Sequence, residues 1–194
     1  MMTKEELIAF EDEIARLFND GKIRSPIHLD GGCEESLIEI FKDVKPNDWA
    51  FSTHRSHLIC LLKGVPPERI KKEILANHSI NLNFHDYRVF SSAIVGGVCP
   101  IAVGVAAALK RQGSTDKVWC FIGDSASCTG LFYESARYAS WHDLPLEFVI
   151  CDNGLSVNTP TVETWGTYPE KRNITHFSYT RKWPHSGTGE FIRF

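Results

Sequence analysis

The chain has 194 residues, 43% hydrophobic and 23% charged, which is the make-up of an ordinary globular protein with material for one sizeable core. Its formal net charge is -3, and no Lys/Arg run stands out, which excludes nucleic acid and anionic membranes as expected partners. No apolar run approaches the roughly 20 residues that cross a bilayer, and the opening MMTKEELIAFEDEI lacks a signal-type apolar stretch, so a cytoplasmic protein is expected.

Thr3 and Glu6 form the T-x-x-E pattern of a capping box. Leu7, Phe10, Ile14, Leu17 and Phe18 then recur at helical spacing, and Gly21 ends the run, so a first amphipathic helix is predicted. A second helix is predicted over 34–43, a short strand over WAFST (49–53), and a further helix opened by prolines in PPERIKKEILAN (66–77). IVGGVCPIAVGVAAALKRQG (94–113) is small and nearly uncharged up to Lys110, the pattern of a buried or interface helix. VWCFI (118–122) and LEFVIC (146–151) are unbroken apolar strands flanking a predicted helix at 131–141. That arrangement points to a parallel βαβ unit within an α/β sheet covered by helices on both faces. The segments after residue 153 are rich in turn residues and carry no clear pattern. The chain is expected to form a single domain (1–194), with N-terminal helices at 3–45 and a short C-terminal tail at 176–194.

Six cysteines occur, at 33, 60, 99, 120, 128 and 151, with no C-x-x-C pair. They read as free, largely buried thiols in a reducing compartment.

Asp124 follows the first of the two apolar strands and Asn153 follows the second, 29 residues later. Parallel neighbours in a βαβ unit end on the same sheet edge, where open α/β sheets bind ligands. A carboxylate, an amide oxygen and a nearby backbone carbonyl are hard oxygen donors suited to Mg²⁺ or Ca²⁺. The helix after Asp124 aims its N-terminus at the same place and favours an anion. The pair therefore fits a metal-bound diphosphate. The plainer alternative is an N-cap after one strand and an Asp-Asn-Gly turn after the other. No G-x-G-x-x-G follows a strand, which leaves a nicotinamide cofactor without support.

GDSASCTGLFYESARYASWHDLPLEFVICDN (123–153) resembles the thiamine-diphosphate motif, Gly-Asp-Gly followed after 25–30 residues by Asn-Asn. It is most similar to the α subunits of two-chain 2-oxo-acid dehydrogenase E1 components. ESARYASWHDLP (134–145) is similar to that family's helix and Leu-Pro turn, FSTHRSH (51–57) to its Tyr/Thr-His-Arg-Gly-His segment, and AIVGGVCPIAVG (93–104) to its Gly-Ile-Val-Gly-Gly segment. DGKIR (20–24) and His28-Leu29 fit as well, so the likeness runs over about residues 5–160 in the family's order.

Position by position, the resemblance implies that Asp124 and Asn153 ligate Mg²⁺ through side chains and Leu155 through its carbonyl, with Ca²⁺ or Mn²⁺ as alternatives. Gly123, Ser125 and Ala126 would surround the diphosphate, the latter two by backbone N–H. His54 and Arg55 would face the terminal phosphate, and Ala93 and Val95 the aminopyrimidine. His57 would act nearer the reacting carbon, unless it serves only as a structural hydrogen bonder. His85 matches a further family histidine only loosely, because SINLNF (79–84) replaces the glycine-rich segment expected before it. YTRKWPHSGTGEF (179–191) is similar to the family's closing segment, so His185 would reach substrate or phosphate, or else the tail would contact a partner chain.

The resemblance also implies a β-type partner that supplies the activating glutamate, an α2β2 assembly, a small keto substrate, and cleavage of a C–C bond beside a carbonyl. Transketolase-like ketol transfer and a non-catalytic scaffold are the alternatives. Departures from the family pattern are Ser125 for glycine, Ser56 for glycine and Asp152 for asparagine. A stretch between about 160 and 176 that would finish the sheet is expected to be missing.

Overall fold

The computed structural model describes residues 2–166 and 174–192. In chain order its elements are α1 (Lys4–Asn19), α2 (Glu34–Phe41), β1 (Trp49–Ser52), α3 (His57–Leu62), α4 (Pro67–Leu75), β2 (Asn83–Phe84), β3 (Val89–Ser91), α5 (Val98–Arg111), β4 (Val118–Gly123), α6 (Gly130–Trp141), β5 (Leu146–Asp152), β6 (Leu155–Ser156), β7 (Thr159–Pro160), α7 (Thr161–Trp165) and β8 (Ile174–Ser178). Six strands form one sheet in the order β2-β3-β1-β4-β5-β8, parallel throughout except for the β2–β3 pair. β6 and β7 make a separate two-stranded ribbon.

The unbroken apolar strands are explained by helices on both sheet faces. Along β4, Trp119 and Phe121 pack with α1, α2, α3 and α4, while Val118, Cys120 and Ile122 pack with α5 and α6. β5 alternates likewise, with Val149 toward the first layer and Phe148 and Ile150 toward the second. This is the α/β architecture read from the sequence.

α1 carries the complete capping box, in which Glu6 N donates to Thr3 Oγ1 at 3.3 Å and Thr3 N donates to Glu6 Oε2 at 2.8 Å. The small-residue helix begins at Val98 rather than at residue 94, because Gly96 adopts a left-handed φ of +71° and breaks the run. It buries one face, through Cys99, Ala102, Ala106 and Leu109, and exposes Ile101. Ile94 and Val95 fall in the preceding turn, and both are exposed.

One expectation needs correction. The sheet does not stop at β5, because β8 pairs parallel with it from Phe148↔Ile174 to Asp152↔Ser178. Its sequence, ITHFS, is short and has three polar residues among five, with only Ile174 and Phe177 packing on the two core layers, so it gives only a weak apolar signal. Residues 167–173, within the stretch expected to be missing, lie outside the described residues, as do the last two of the predicted tail at 176–194. The tail then turns back across the molecule, with Lys182 N donating to Gly31 O at 3.2 Å and Gly187 N to Ile27 O at 2.9 Å.

Candidate functional site

A cleft of about 300 Å³ opens at the carboxyl ends of β1, β3, β4 and β5. That edge is where parallel α/β sheets place ligands. Register explains why two distant loops meet there. Gly123 stands opposite Cys151 in the β4–β5 ladder, so Asp124 and Asn153 leave neighbouring strands at nearly the same height. Both line the cleft.

Asp124 is almost fully buried. Its Oδ2 accepts a short hydrogen bond from the hydroxyl of Thr161, the first residue of α7. Its backbone carbonyl accepts from Ser127 N at 3.1 Å and from Ser127 Oγ at 2.7 Å, which shapes the turn leading to α6. Burial pushes the Asp124 carboxyl above the usual carboxylate range. The Thr161 hydroxyl opposes that shift, and the nearby Asp152 carboxylate adds to it. A divalent cation at this point would reverse the penalty, so the donor set fits a hard metal ion.

Asn153 is held at both ends of its amide. Its Oδ1 accepts from Leu155 N at 3.2 Å, and its Nδ2 donates to the Tyr179 hydroxyl oxygen at 3.2 Å. Leu155 pairs with Pro160 across the β6–β7 ribbon, and Pro160 has no N–H to donate. The Asp152 carboxylate has partners of its own, since its Oδ2 meets His176 Nε2 at 3.0 Å and its Oδ1 accepts from Gly154 N at 2.8 Å.

The facing wall comes from three other segments. His54 and Arg55 follow β1, Ala93 and Val95 follow β3, and His185 arrives on the tail after β8. Arg55 is fixed by its guanidinium, which donates through Nη1 to Leu29 O and through Nη2 to His185 O at 2.9 Å. Burial, then Arg55 and His185, lowers His54 to about 4. His28 falls to about 3 by burial and the positive groups around it, and His185 is lowered by burial, Arg55 and Arg181. All three imidazoles are therefore neutral near pH 7.

Of the sequence-predicted site residues, His54, Arg55, Ala93, Val95, Gly123, Asp124, Ser125, Ala126, Asn153, Leu155 and His185 all line this cleft. His57 does not. It is wholly buried, with Nδ1 2.8 Å from Glu11 Oε1 and Nε2 3.0 Å from Ser79 Oγ. Both ring nitrogens are thereby used, and the geometry gives His57 the structural alternative. As the first residue of α3 it points into the helical layer, while His54 and Arg55 stay on the preceding turn. His85 is also outside the lining and meets the Trp49 ring edge-on at 5.3 Å.

Sequence reasoning missed Thr161, Tyr179, Arg181, Asp30 and His28 as members of the site. Asp30 lines the cleft, and burial together with the Glu11 carboxylate raises it to about 6. Arg181 also lines the cleft and donates to Val157 O at 3.2 Å. The Tyr-Thr-Arg run of the tail was the available signal for two of these, while Thr161 gave none.

The family described as dehydrogenase E1 component matches residues 2–171. The chain belongs to the dehydrogenase E1 component family. Among curated relatives, the α subunit of acetoin:2,6-dichlorophenolindophenol oxidoreductase from Cupriavidus necator is 32% identical over 160 residues, covering 77% of this chain and 48% of the relative. The Bacillus subtilis protein of the same name is 30% identical over 165 residues, covering 80% and 50%. The pyruvate dehydrogenase E1 component subunit alpha of Porphyra purpurea is 29% identical over 161 residues, covering 74% and 47%. The chain thus spans about half the length of the curated relatives it matches. Among the described residues, no helix of this E1-family chain is long and apolar enough to cross a membrane.

Proposed function

We propose that this chain is the diphosphate-binding, α-type half of a thiamine-diphosphate-dependent enzyme that cleaves a C–C bond beside a carbonyl, in the manner of an E1 component. The observation that carries the reading is the buried Asp124 carboxylate beside the oriented Asn153 amide, on adjacent parallel strand ends in one cleft. Family membership and relatives named as α subunits support it.

In this reading Asp124, Asn153 and the Leu155 carbonyl hold Mg²⁺, and the Mg²⁺ holds the diphosphate. Gly123, Ser125 and Ala126 lie along the diphosphate, the latter two offering it their backbone N–H groups at the start of the 3₁₀ turn at 126–128. Arg55 supplies a fixed positive charge toward the terminal phosphate, with the neutral His54 and His185 beside it as hydrogen-bond donors. Ala93 and Val95 contact the aminopyrimidine by backbone. When bound, thiamine diphosphate supplies the nucleophile and electron sink for the C–C cleavage. The protein's part is to orient that group and keep water from it. The relatives' names favour E1-like cleavage over ketol transfer, with pyruvate named for one and acetoin, which has no carboxylate to lose, for the others.

A β-type chain supplies the glutamate that activates the cofactor, in an α2β2 assembly of the cytoplasm, and a small keto compound is the substrate. Isothermal titration with thiamine diphosphate and Mg²⁺, with and without the β-type chain, tests the proposal. Binding that requires Mg²⁺ and is lost in Asp124→Ala is the expected result, together with no turnover by the isolated chain. Absence of binding in every assembly, or binding indifferent to Asp124→Ala, overturns it.

A further inference from the structure

The turn that carries Asn153 and Leu155 is anchored by a residue that does not line the cleft. Asp152 is the last residue of β5. Its backbone carbonyl accepts from Tyr179 N at 2.9 Å. Its Oδ1 accepts from Gly154 N at 2.8 Å, which closes an Asx turn over Asn153. Its Oδ2 meets Nε2 of His176, on β8, at 3.0 Å. A carboxylate oxygen only accepts, so Nε2–H of His176 is the donor.

Strand pairing brings the two side chains together. β5 and β8 run parallel, with Ile150 opposite His176 and Asp152 opposite Ser178. Side chains two residues apart on a strand share a sheet face, so Asp152 and His176 are diagonal neighbours on the face that also carries Ile150. The Asp152 side chain is 17% exposed and the imidazole 40%. Neither residue lines the cleft.

Beyond Asp152 the turn is held at each step. Gly154 adopts a left-handed φ of +72°. Asn153 Oδ1 accepts from Leu155 N at 3.2 Å, and Gly154 O accepts from Thr161 N at 3.0 Å. The first side-chain anchor of this series is the Asp152 carboxylate. Without an imidazole on Oδ2, that side chain gains rotamers that leave Gly154 N uncapped. We propose that His176 is a positioning residue for this turn: it holds the Asp152 carboxylate where it caps Gly154 N, and so sets where Asn153 Oδ1 and the Leu155 carbonyl stand for a divalent cation. The inference rests on the metal-diphosphate reading of the cleft and adds to it a residue of the edge strand that touches neither cofactor nor metal.

If His176 acts through Asp152, a double-mutant cycle shows it. Isothermal titration with Mg²⁺ and thiamine diphosphate is run on the full chain, in the assembly in which the wild type binds. His176→Ala is expected to weaken Mg²⁺ affinity about three- to fivefold, a modest loss because the imidazole is partly exposed. His176→Gln keeps an N–H donor at the Nε2 position and is expected to restore the wild-type affinity. Asp152→Ala is expected to cost about tenfold, since it also uncaps Gly154 N, and adding His176→Ala to it should change nothing further. Hydrogen exchange at the Gly154 and Leu155 amides is the second readout, made on the cofactor-free chain. It is expected to be about fivefold faster in His176→Ala and slow again in His176→Gln. A lower melting temperature in His176→Ala with affinity and exchange both unchanged would make the pair merely structural and overturn the proposal. Additive losses in the cycle, or no rescue by His176→Gln, would overturn it as well. If the wild type binds no thiamine diphosphate with Mg²⁺ in any assembly, the metal reading fails, and the exchange rates still decide whether His176 sets the turn.

Discussion

The hydroxyl of Thr161 donates to Oδ2 of Asp124, joining the first turn of α7 to the tip of β4. Thr161 N also donates to Gly154 O at 3.0 Å, so one residue ties together the loops that follow β4 and β5. Thr161 is itself buried, and its hydroxyl fixes which carboxylate oxygen remains for a metal ion. Thr161→Val keeps the shape and removes that bond. Mg²⁺-dependent thiamine diphosphate binding is expected to weaken by about fivefold, corresponding to a net hydrogen bond of about 1 kcal/mol. Calorimetric titration of the variant checks it, and an unchanged affinity would remove Thr161 from the site.

Tyr179 should matter through the orientation of an amide. Its phenolic oxygen accepts from Asn153 Nδ2, which keeps Oδ1 as the available ligand atom. Tyr179→Phe frees the amide to rotate and present N–H groups, which cannot ligate a cation. A three- to tenfold loss of Mg²⁺ affinity is expected, on the order of one net hydrogen bond. Quenching of tryptophan fluorescence during cofactor titration provides the readout.

His54 should make stability depend on acid. Its pKa falls to about 4 in the folded chain, by burial and by Arg55 and His185. The unfolded chain then binds a proton first, so this contribution is present above the unfolded value near 6.5 and is lost as pH falls toward 4. The loss between pH 7 and pH 4.5 is about 2 kcal/mol for this one group. His54→Gln is expected to flatten that part of the profile, measured as urea midpoints across the range. A wild-type slope retained in the variant would contradict it.

Glu11 and His57 form a buried pair between α1 and α3, at 2.8 Å and with almost no exposure. Burial opposes the charged imidazole, but Glu11, by charge and by hydrogen bond, more than compensates and raises the His57 pKa. With the folded value raised, the stabilisation is complete below the unfolded value and is lost as pH rises through the folded one. Glu11→Ala leaves the imidazole without its partner and is expected to cost about 3–5 kcal/mol. Chemical unfolding at mildly acid pH measures it, and the deficit should shrink at alkaline pH.

Gly32 decides whether the tail can close over the N-terminal loop. Its φ is +91°, and a Cβ built there would lie 2.1 Å from Thr180 O. Gly32→Ala therefore has to move backbone as well as strain its own φ, the latter alone worth about 1–3 kcal/mol. Faster proteolysis of the 179–192 segment and a lower melting temperature are expected. Identical digestion patterns would show that the tail docks independently of this glycine.

Much of the architecture was legible before the structure. Both faces of VWCFI and LEFVIC needed covering, and the structure covers them with two helical layers. The capping box at Thr3 and Glu6 formed as read. β8 was not legible, because a five-residue edge strand with three polar residues lacks the apolar run that marks a central strand. The cleft was legible where it followed strand ends, as at Asp124 and Asn153. His57 was misleading because it sits two residues from Arg55 yet begins a helix, and helix geometry turns its ring into the layer behind the cleft.

By itself the sequence determined the period of each strand and helix, and with it that two loops must emerge on one edge of a parallel sheet. Those are local consequences of side-chain alternation and of parallel pairing. Only the tertiary structure decided which partners complete the edge: Thr161 on Asp124, Tyr179 on Asn153, and the meeting of His28, His54 and His185. The physical reason is separation along the chain. Contacts between residues 26 to 157 positions apart arise from how layers pack and where the tail returns, and no local pattern encodes them.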